Sequence, residues 1–186
     1  ELGHEVTELA EAPFDDAQLA EDFLTGWFAY CAWGLEEAKK LSGARDKAFE
    51  DDTRIMAALG RGKGAVAFCS AIEDKQDHVR RLAAFHQQYD LLLTPTMATP
   101  PPKIGQFEQP AGTRALVKTL LALRAGGLLR FTSVVSEMIE KNLGWVPYTQ
   151  LANITGRPAM SVPLHWTADG LPLGSQFVGP LGSEGL

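Results

Sequence analysis

Apolar residues recur at helical spacing through the first half of the chain. One series runs Leu19, Phe23, Trp27, Tyr30, Leu35, Ala38, Leu41, and a second runs Val66, Cys69, Ile72, Val79, Leu82, Tyr89. Steps of three and four residues place such side chains on one face of a helix. The pattern predicts a long helix capped at Asp15 and ending near Ser42-Gly43, a shorter one capped by Asp51 or Asp52, and a second long helix after a Gly-rich break at 60–64.

Short apolar runs between proline and glycine follow in the second half. The run at 90–96 is continuous and ends at a proline, which is typical of a strand buried on both faces. Residues 97–110 are rich in proline, which cannot donate ladder hydrogen bonds, so they predict a loop. Two further strands are predicted at 158–164 and 173–179, joined by a turn at 168–170.

Three helices are predicted between these strands. They cover about 113–125 and 132–142, separated by Gly126-Gly127, and a segment from Pro147 to Ile154. Proline suits the first position of a helix because the missing N–H would be unpaired there.

Both ends of the chain carry incomplete patterns. Glu1-Leu2 is interpreted as the end of a helix, followed by a strand around Val6, and Ser183 is a helix cap with no helix after it. We therefore expect the chain to be a portion of a longer protein.

Composition and charge narrow the class of protein. The 186 residues are 45% hydrophobic and 22% charged, which is ordinary for a globular domain with a real core. No apolar run approaches the roughly 20 residues of a membrane span, and no signal peptide is apparent, so we expect a cytoplasmic protein without a membrane partner. Residues 1–52 hold 14 Asp or Glu against 4 Lys or Arg. Such an acidic segment repels phosphate, which argues against a nucleic-acid partner.

Metal and cofactor sites are not predicted. Cys31 and Cys69 form neither a disulfide framework nor a CxxC pattern, which favours buried free thiols. His78 and His86 are eight residues apart rather than four, so we expect solvated helix residues, with Asp74 and His78 as a surface pair. The glycines at 60–64 lack the Ser or Thr that follows lysine in a phosphate-binding loop.

Three motifs together resemble the C-terminal half of the amidase signature family. They are YDLLLTPT at 89–96 with the prolines at 100–102, PYTQLANITGRPAMSVP at 147–163, and GLPLGSQFVG at 170–179. Each is weak alone, and their order and separation carry the match. The helix around 23–33 and the segment 100–105 resemble the branch that contains the nylon-oligomer (6-aminohexanoate) cyclic-dimer hydrolase.

The resemblance implies an α/β fold: the C-terminal portion of the amidase-signature fold, with a mixed, mostly parallel twisted sheet covered by helices. It also implies a Ser–cis-Ser–Lys triad, in which lysine is the base, one serine relays the proton and the other attacks the amide carbonyl. In the family these groups lie N-terminal to the matched region, so no catalytic role is assigned here. We expect one amidase domain, with a strand and helices in 1–88 and the sheet in 89–186.

The resemblance further implies where substrate lies. Thr149 and Ala152, with Trp145 and Tyr148 nearby, are expected to line the acyl pocket, and Cys69 is a further candidate. The alternative is that Trp145 and Tyr148 simply fill core. Expected partners are a small-molecule amide substrate and the missing N-terminal part, with self-association or a homodimer as an open possibility. A non-catalytic α/β binding or interaction module is the alternative function.

Overall fold

Six α-helices and three β-strands occupy the part of the chain that this computed structural model describes, residues 3–123 and 125–185. The helices are α1 (Asp16–Ser42), α2 (Asp51–Arg61), α3 (Ala65–Phe85), α4 (Ala111–Ala122), α5 (Ser133–Leu143) and α6 (Thr149–Thr155), and the strands are β1 (Leu92–Pro95), β2 (Ala159–Trp166) and β3 (Pro172–Val178). Short 3₁₀ helices lie at Asp46–Ala48 and Gly126–Phe131. The helix end expected at Glu1-Leu2 lies outside the described residues.

Local signals at its ends set the limits of α1, as predicted. One carboxylate oxygen of Asp15 accepts hydrogen bonds from the backbone N–H groups of Ala17 and Gln18, both at 3.1 Å. At the other end Gly43 has a φ of +68°, and its N–H donates to the Lys39 carbonyl at 2.9 Å. Only glycine adopts this left-handed conformation without steric cost, so the helix stops there.

Two expected helix starts are wrong in detail. Glu50 rather than Asp51 precedes α2, and Asp51 instead accepts a hydrogen bond from Arg54 at 2.8 Å, inside the first turn. The last helix begins at Thr149, because Pro147 belongs to the turn before it. The predicted strand around Val6 is also wrong: no strand occurs between residues 3 and 15, where no neighbouring strand offers a ladder.

The three strands form an antiparallel sheet in the order β1-β3-β2. A tight turn with Gly170 at φ +79° joins β2 to β3, as predicted. A connection this short permits only antiparallel pairing of β2 with β3. Because β1 also pairs antiparallel with β3, the parallel pairs expected of the sheet do not occur among these three strands. The expectation that β1 is buried on both faces is wrong. Leu92 is 5% exposed and Leu93 is 52% exposed, since the described helices cover one face only.

Two hydrophobic cores hold the helices and the sheet together. The first joins α1, α2, α4, α5 and the 3₁₀ helix through Phe28, Ile55, Leu59, Val117, Leu129 and Val135. The second joins α1, α3, β1, α6 and β3 through Leu19, Leu82, Leu92, Leu151 and Val178. Each fully buried Leu or Val contributes about 2 kcal/mol of transfer free energy, so the second core fixes α6 against the sheet.

The apolar stripe predicted for α1 is only partly buried. Leu19 and Leu35 are buried as expected, whereas Trp27 and Tyr30 are 43% and 58% exposed. The buried face instead includes Asp22 and Phe28.

Taken singly, the described helices are too short or too polar to cross a membrane; only α2 and α3 counted together, with a 97° bend between them, meet that criterion.

Candidate functional site

The four neighbouring residues predicted to line an acyl pocket lie on one short stretch, residues 145–152, which we call the wall segment. It comprises the turn before α6 and the first turn of that helix. The Thr149 hydroxyl donates to the Val146 carbonyl at 3.2 Å, so it is tied to the turn that precedes it. Trp145, Tyr148, Thr149 and Ala152 are all half-buried, so each keeps part of its surface open to contact.

A glutamine on the sheet anchors the wall segment from one side. Gln176, 5% exposed, donates from its carboxamide nitrogen to the Tyr148 carbonyl at 3.1 Å. The same nitrogen donates to the Thr94 hydroxyl at 3.3 Å, on the strand paired with β3. One side chain therefore links the sheet to the turn before α6.

The loop after β1 contacts the wall segment from another side. The Ala98 N–H donates to the Trp145 carbonyl at 3.0 Å. The Phe107 ring meets the Trp145 indole edge to face, with centroids 5.3 Å apart, a geometry that aromatic pairs prefer. The Pro-rich loop and the wall segment thus form one surface.

The sequence analysis did not predict these supporting residues, although the position of Gln176 in the strand pattern indicates a structural role. It stands two residues before Val178 on β3, and so shares a face with this fully buried side chain. A long amide side chain on the buried face of a strand requires partners, since unpaired buried amides are costly. Ala98 and Phe107 left no comparable signal in the Pro-rich loop.

The two cysteines are free, as expected, but the predicted burial is wrong for Cys69. Cys69 is exposed on α3, because the first two turns of that helix are largely open to solvent. None of the hydrogen bonds or ring contacts among the described residues joins it to the wall segment. Cys31 is half-buried on α1, and this burial raises the pKa of its thiol.

The predicted surface pair of Asp74 and His78 is also wrong. His78 is 3% exposed, and its Nε2 lies 2.9 Å from a carboxylate oxygen of Asp22, which is 6% exposed on α1. Burial favours this pairing over a solvated contact along α3, because a buried imidazole needs a polar partner. His86 is half-buried, and desolvation lowers its pKa.

Metal-ligating side chains and open clefts were located separately in the part of the chain that the structure describes. Within residues 3–123 and 125–185, no three His, Cys, Asp or Glu side chains converge as metal ligands. Open clefts of about 410 and 430 Å³ lie beside α2 and beside β1, and the wall segment lines neither of these two.

The sheet also carries a polar contact between its two outer strands. The hydroxyls of Thr96 and Ser161 lie 2.6 Å apart, one following β1 and the other on β2. They meet across Gly174 of the middle strand, where a Cβ would collide with both hydroxyls. Glycine at this position thus allows the two outer strands to be joined over the middle one.

Comparisons with known proteins agree with this architecture. The chain is 29% identical over 185 residues to a putative amidase, AmiC, of Mycobacterium leprae, and covers 34% of that protein. It is 26% identical over 195 residues to the 6-aminohexanoate-cyclic-dimer hydrolase of Pseudomonas sp. (strain NK87), and covers 35% of it. The chain therefore spans about a third of the length of the curated relatives it matches.

Solved structures show the same fold. The structure of 6-aminohexanoate cyclic dimer hydrolase matches 98% of the chain with a TM-score of 0.73 at 24% identity, and the chain covers 35% of it. A bacterial aryl acylamidase of the amidase signature family matches 92% of the chain with a TM-score of 0.57 at 18% identity, and 32% of that structure is covered. These likenesses confirm the predicted α/β class and the predicted amidase-signature fold.

The family model described as Amidase matches residues 4–186, nearly the whole sequence. The motifs at 89–96, 147–163 and 170–179 lie within the matched range. This chain belongs to the amidase family.

Proposed function

We propose that this chain forms the acyl-pocket wall and part of the sheet of an amidase that hydrolyses C–N amide bonds. In this proposal the whole enzyme uses a Ser–cis-Ser–Lys triad supplied by residues outside the chain. Its substrate is a small amide, and its location is the cytoplasm. Residues 1–88 and 89–186 together form the C-terminal part of one catalytic domain.

The observation that carries the proposal is the fixed position of the wall segment. Its backbone carbonyls at Trp145 and Tyr148 are held by the Ala98 N–H and the Gln176 carboxamide. Amide hydrolysis needs the acyl group held in a narrow range of orientations, because misplacement by about 1 Å can cost a hundredfold in rate. A segment anchored at two successive points provides such a surface.

The chemistry itself requires groups that this chain is not proposed to supply. A serine hydroxyl is a poor nucleophile at neutral pH until a base takes its proton, and the tetrahedral oxyanion needs positioned donors. We therefore expect the 186-residue chain alone to show no amidase activity. Release of amine or ammonia from a panel of amides by the purified chain would contradict this division of roles.

The wall residues are tested in a longer protein that carries this chain. Thr149→Trp adds bulk to a half-buried position, so kcat/KM for long or branched acyl groups should fall about tenfold or more relative to acetyl amides. Thr119→Trp is the matched control, because the Thr119 hydroxyl likewise donates to a nearby backbone carbonyl, that of Ala115, but Thr119 is exposed on α4. Equal kcat/KM across acyl sizes in Thr149→Trp would remove this residue from the pocket.

The same proposal includes four further residues, which differ in their position relative to the anchored turn: Trp145, Tyr148, Ala152 and Cys69. Trp145 and Tyr148 flank the anchored turn, and Ala152 lies at the end of the first turn of α6. Exposed Cys69 is tested by thiol alkylation: protection by substrate in the longer protein would place it at the pocket. Equal alkylation rates with and without substrate would exclude it.

A further inference from the structure

The carboxamide of Gln176 is the only buried polar side chain on the described strands, and its orientation is fixed by its partners. A carbonyl oxygen only accepts hydrogen bonds, so the amino group of Gln176 must face Tyr148. The second hydrogen on that nitrogen reaches the Thr94 hydroxyl. Both donors of the amide are therefore used to join three elements: β3, β1 and the turn before α6.

From this geometry we infer that Gln176 is a positioning residue, which sets the distance and angle of the wall segment relative to the sheet. This inference rests on the proposed function, since the wall segment is the proposed acyl surface. Gln176 does not contact the reacting amide in this role. It acts through Tyr148 and Thr149, by holding the carbonyl of Tyr148, the residue immediately before α6.

The second core explains why this one hydrogen bond matters. Leu151 and Val178 fix the middle of α6 to the sheet. This core includes no residue of the turn at 145–148, so the beginning of the wall segment depends on contacts outside the core. Gln176 pairs with Thr94 in the strand register and faces the same side as Val178, so it extends the contact from the core to the turn.

Two substitutions separate the hydrogen bond from the volume of the side chain. Gln176→Met keeps the length of the side chain and removes both donors. Gln176→Glu keeps the shape and faces the Tyr148 carbonyl with a carboxylate oxygen instead of a donor, which is repulsive while the group is ionised. Gln88→Glu, which adds the same charge at an exposed position, is the matched control.

Hydrogen exchange of the 186-residue chain tests the positioning directly. We expect the amides of Ala98, Val146 and Asn153 to exchange about tenfold faster in Gln176→Met and Gln176→Glu, because a buried donor is lost. Amides of α1 and α2 should exchange at the rates of the parent chain, which shows that the fold persists. Unchanged exchange at all three amides in both variants would overturn the inference.

Turnover by a longer protein that carries the chain provides the second readout. A residue that positions the acyl surface should raise KM about tenfold while kcat changes less, because the reacting groups are untouched. Faster amide exchange with unchanged KM would mean that Gln176 supports the fold without positioning the acyl surface, and this result would overturn the inference. If the longer protein hydrolyses no amide, the proposed function fails, and the exchange measurement alone decides whether Gln176 holds the segment.

Discussion

Gly60 lies where α2 crosses α1, and its missing side chain sets how closely these helices approach. A Cβ at this position would collide with the carbonyl group of Phe28 and come within 3.0 Å of the Ala32 Cβ. The obstacle is backbone and cannot rotate away. We expect Gly60→Ala to lower the free energy of unfolding by about 1–3 kcal/mol, measured by urea denaturation, although alanine is the better helix former.

Gly34→Ala is the control for this prediction. Gly34 lies inside α1, and a Cβ there meets nothing within 4 Å. The propensity of alanine should then stabilise the chain by about 0.5–1 kcal/mol. Equal stabilisation by both substitutions would show that α1 and α2 separate freely and that the close approach is not required.

Single residues were predictable where their role is local. Asp15 and Gly43 act through their own backbone neighbours, so the sequence around them was enough to locate the ends of α1. His78 and Gln176 act on partners 56 and 28 residues away, and nothing near them in the sequence indicates Asp22 or Tyr148. Their chemistry was visible, but the contacts that decide it come from the packing of helices and strands.

At the scale of elements, a buried pair of Asp22 and His78 joins α1 to α3. Asp22 also accepts a hydrogen bond from Gln18 at 3.0 Å, one turn earlier on the same helix. Removing either side chain leaves the other buried in a low-dielectric environment without this polar partner. We expect Asp22→Leu or His78→Leu alone to cost about 3–5 kcal/mol of unfolding free energy.

The double substitution separates the interaction between Asp22 and His78 from the contribution that each side chain makes by itself. Asp22→Leu with His78→Leu fills the same space with apolar side chains, so its stability should return to within about 1 kcal/mol of the parent chain or exceed it. Denaturant unfolding of all four proteins gives the coupling free energy. Additive losses in the double variant would mean that the two side chains do not interact in solution.

Elements were predictable where pattern and length agree. Both long helices and the turn at Gly170 were found, because their periodicity or turn chemistry needs no distant partner. The 3₁₀ helix at Gly126–Phe131 was missed, since its glycines indicate a break and its shape follows from the packing of Leu129 in the first core. The exposure of Leu93 was missed because a continuous apolar run does not reveal which faces are covered.

The whole molecule presents an apolar sheet face opposite the helices. Leu93, Phe177 and Met160 form one row across the three strands on that face, and Leu93 and Met160 are 52% and 58% exposed. At this scale the motifs predicted the family and the fold, whereas the extent of the uncovered face emerges only when the strands are assembled.

We expect this face to make the 186-residue chain self-associate and bind a hydrophobic dye, because contiguous exposed apolar surface favours both. Leu93→Lys with Met160→Lys should lower dye fluorescence and shift sedimentation toward the monomer. Leu41→Lys, a change at an 87% exposed position on α1 away from the sheet, should leave both readouts unchanged. A longer protein that covers the face should bind less dye per chain than the 186-residue form. A monomeric chain that binds no dye would show that the exposed apolar side chains do not form a contiguous surface. Equal effects of all the lysine substitutions would show that self-association occurs at another part of the chain.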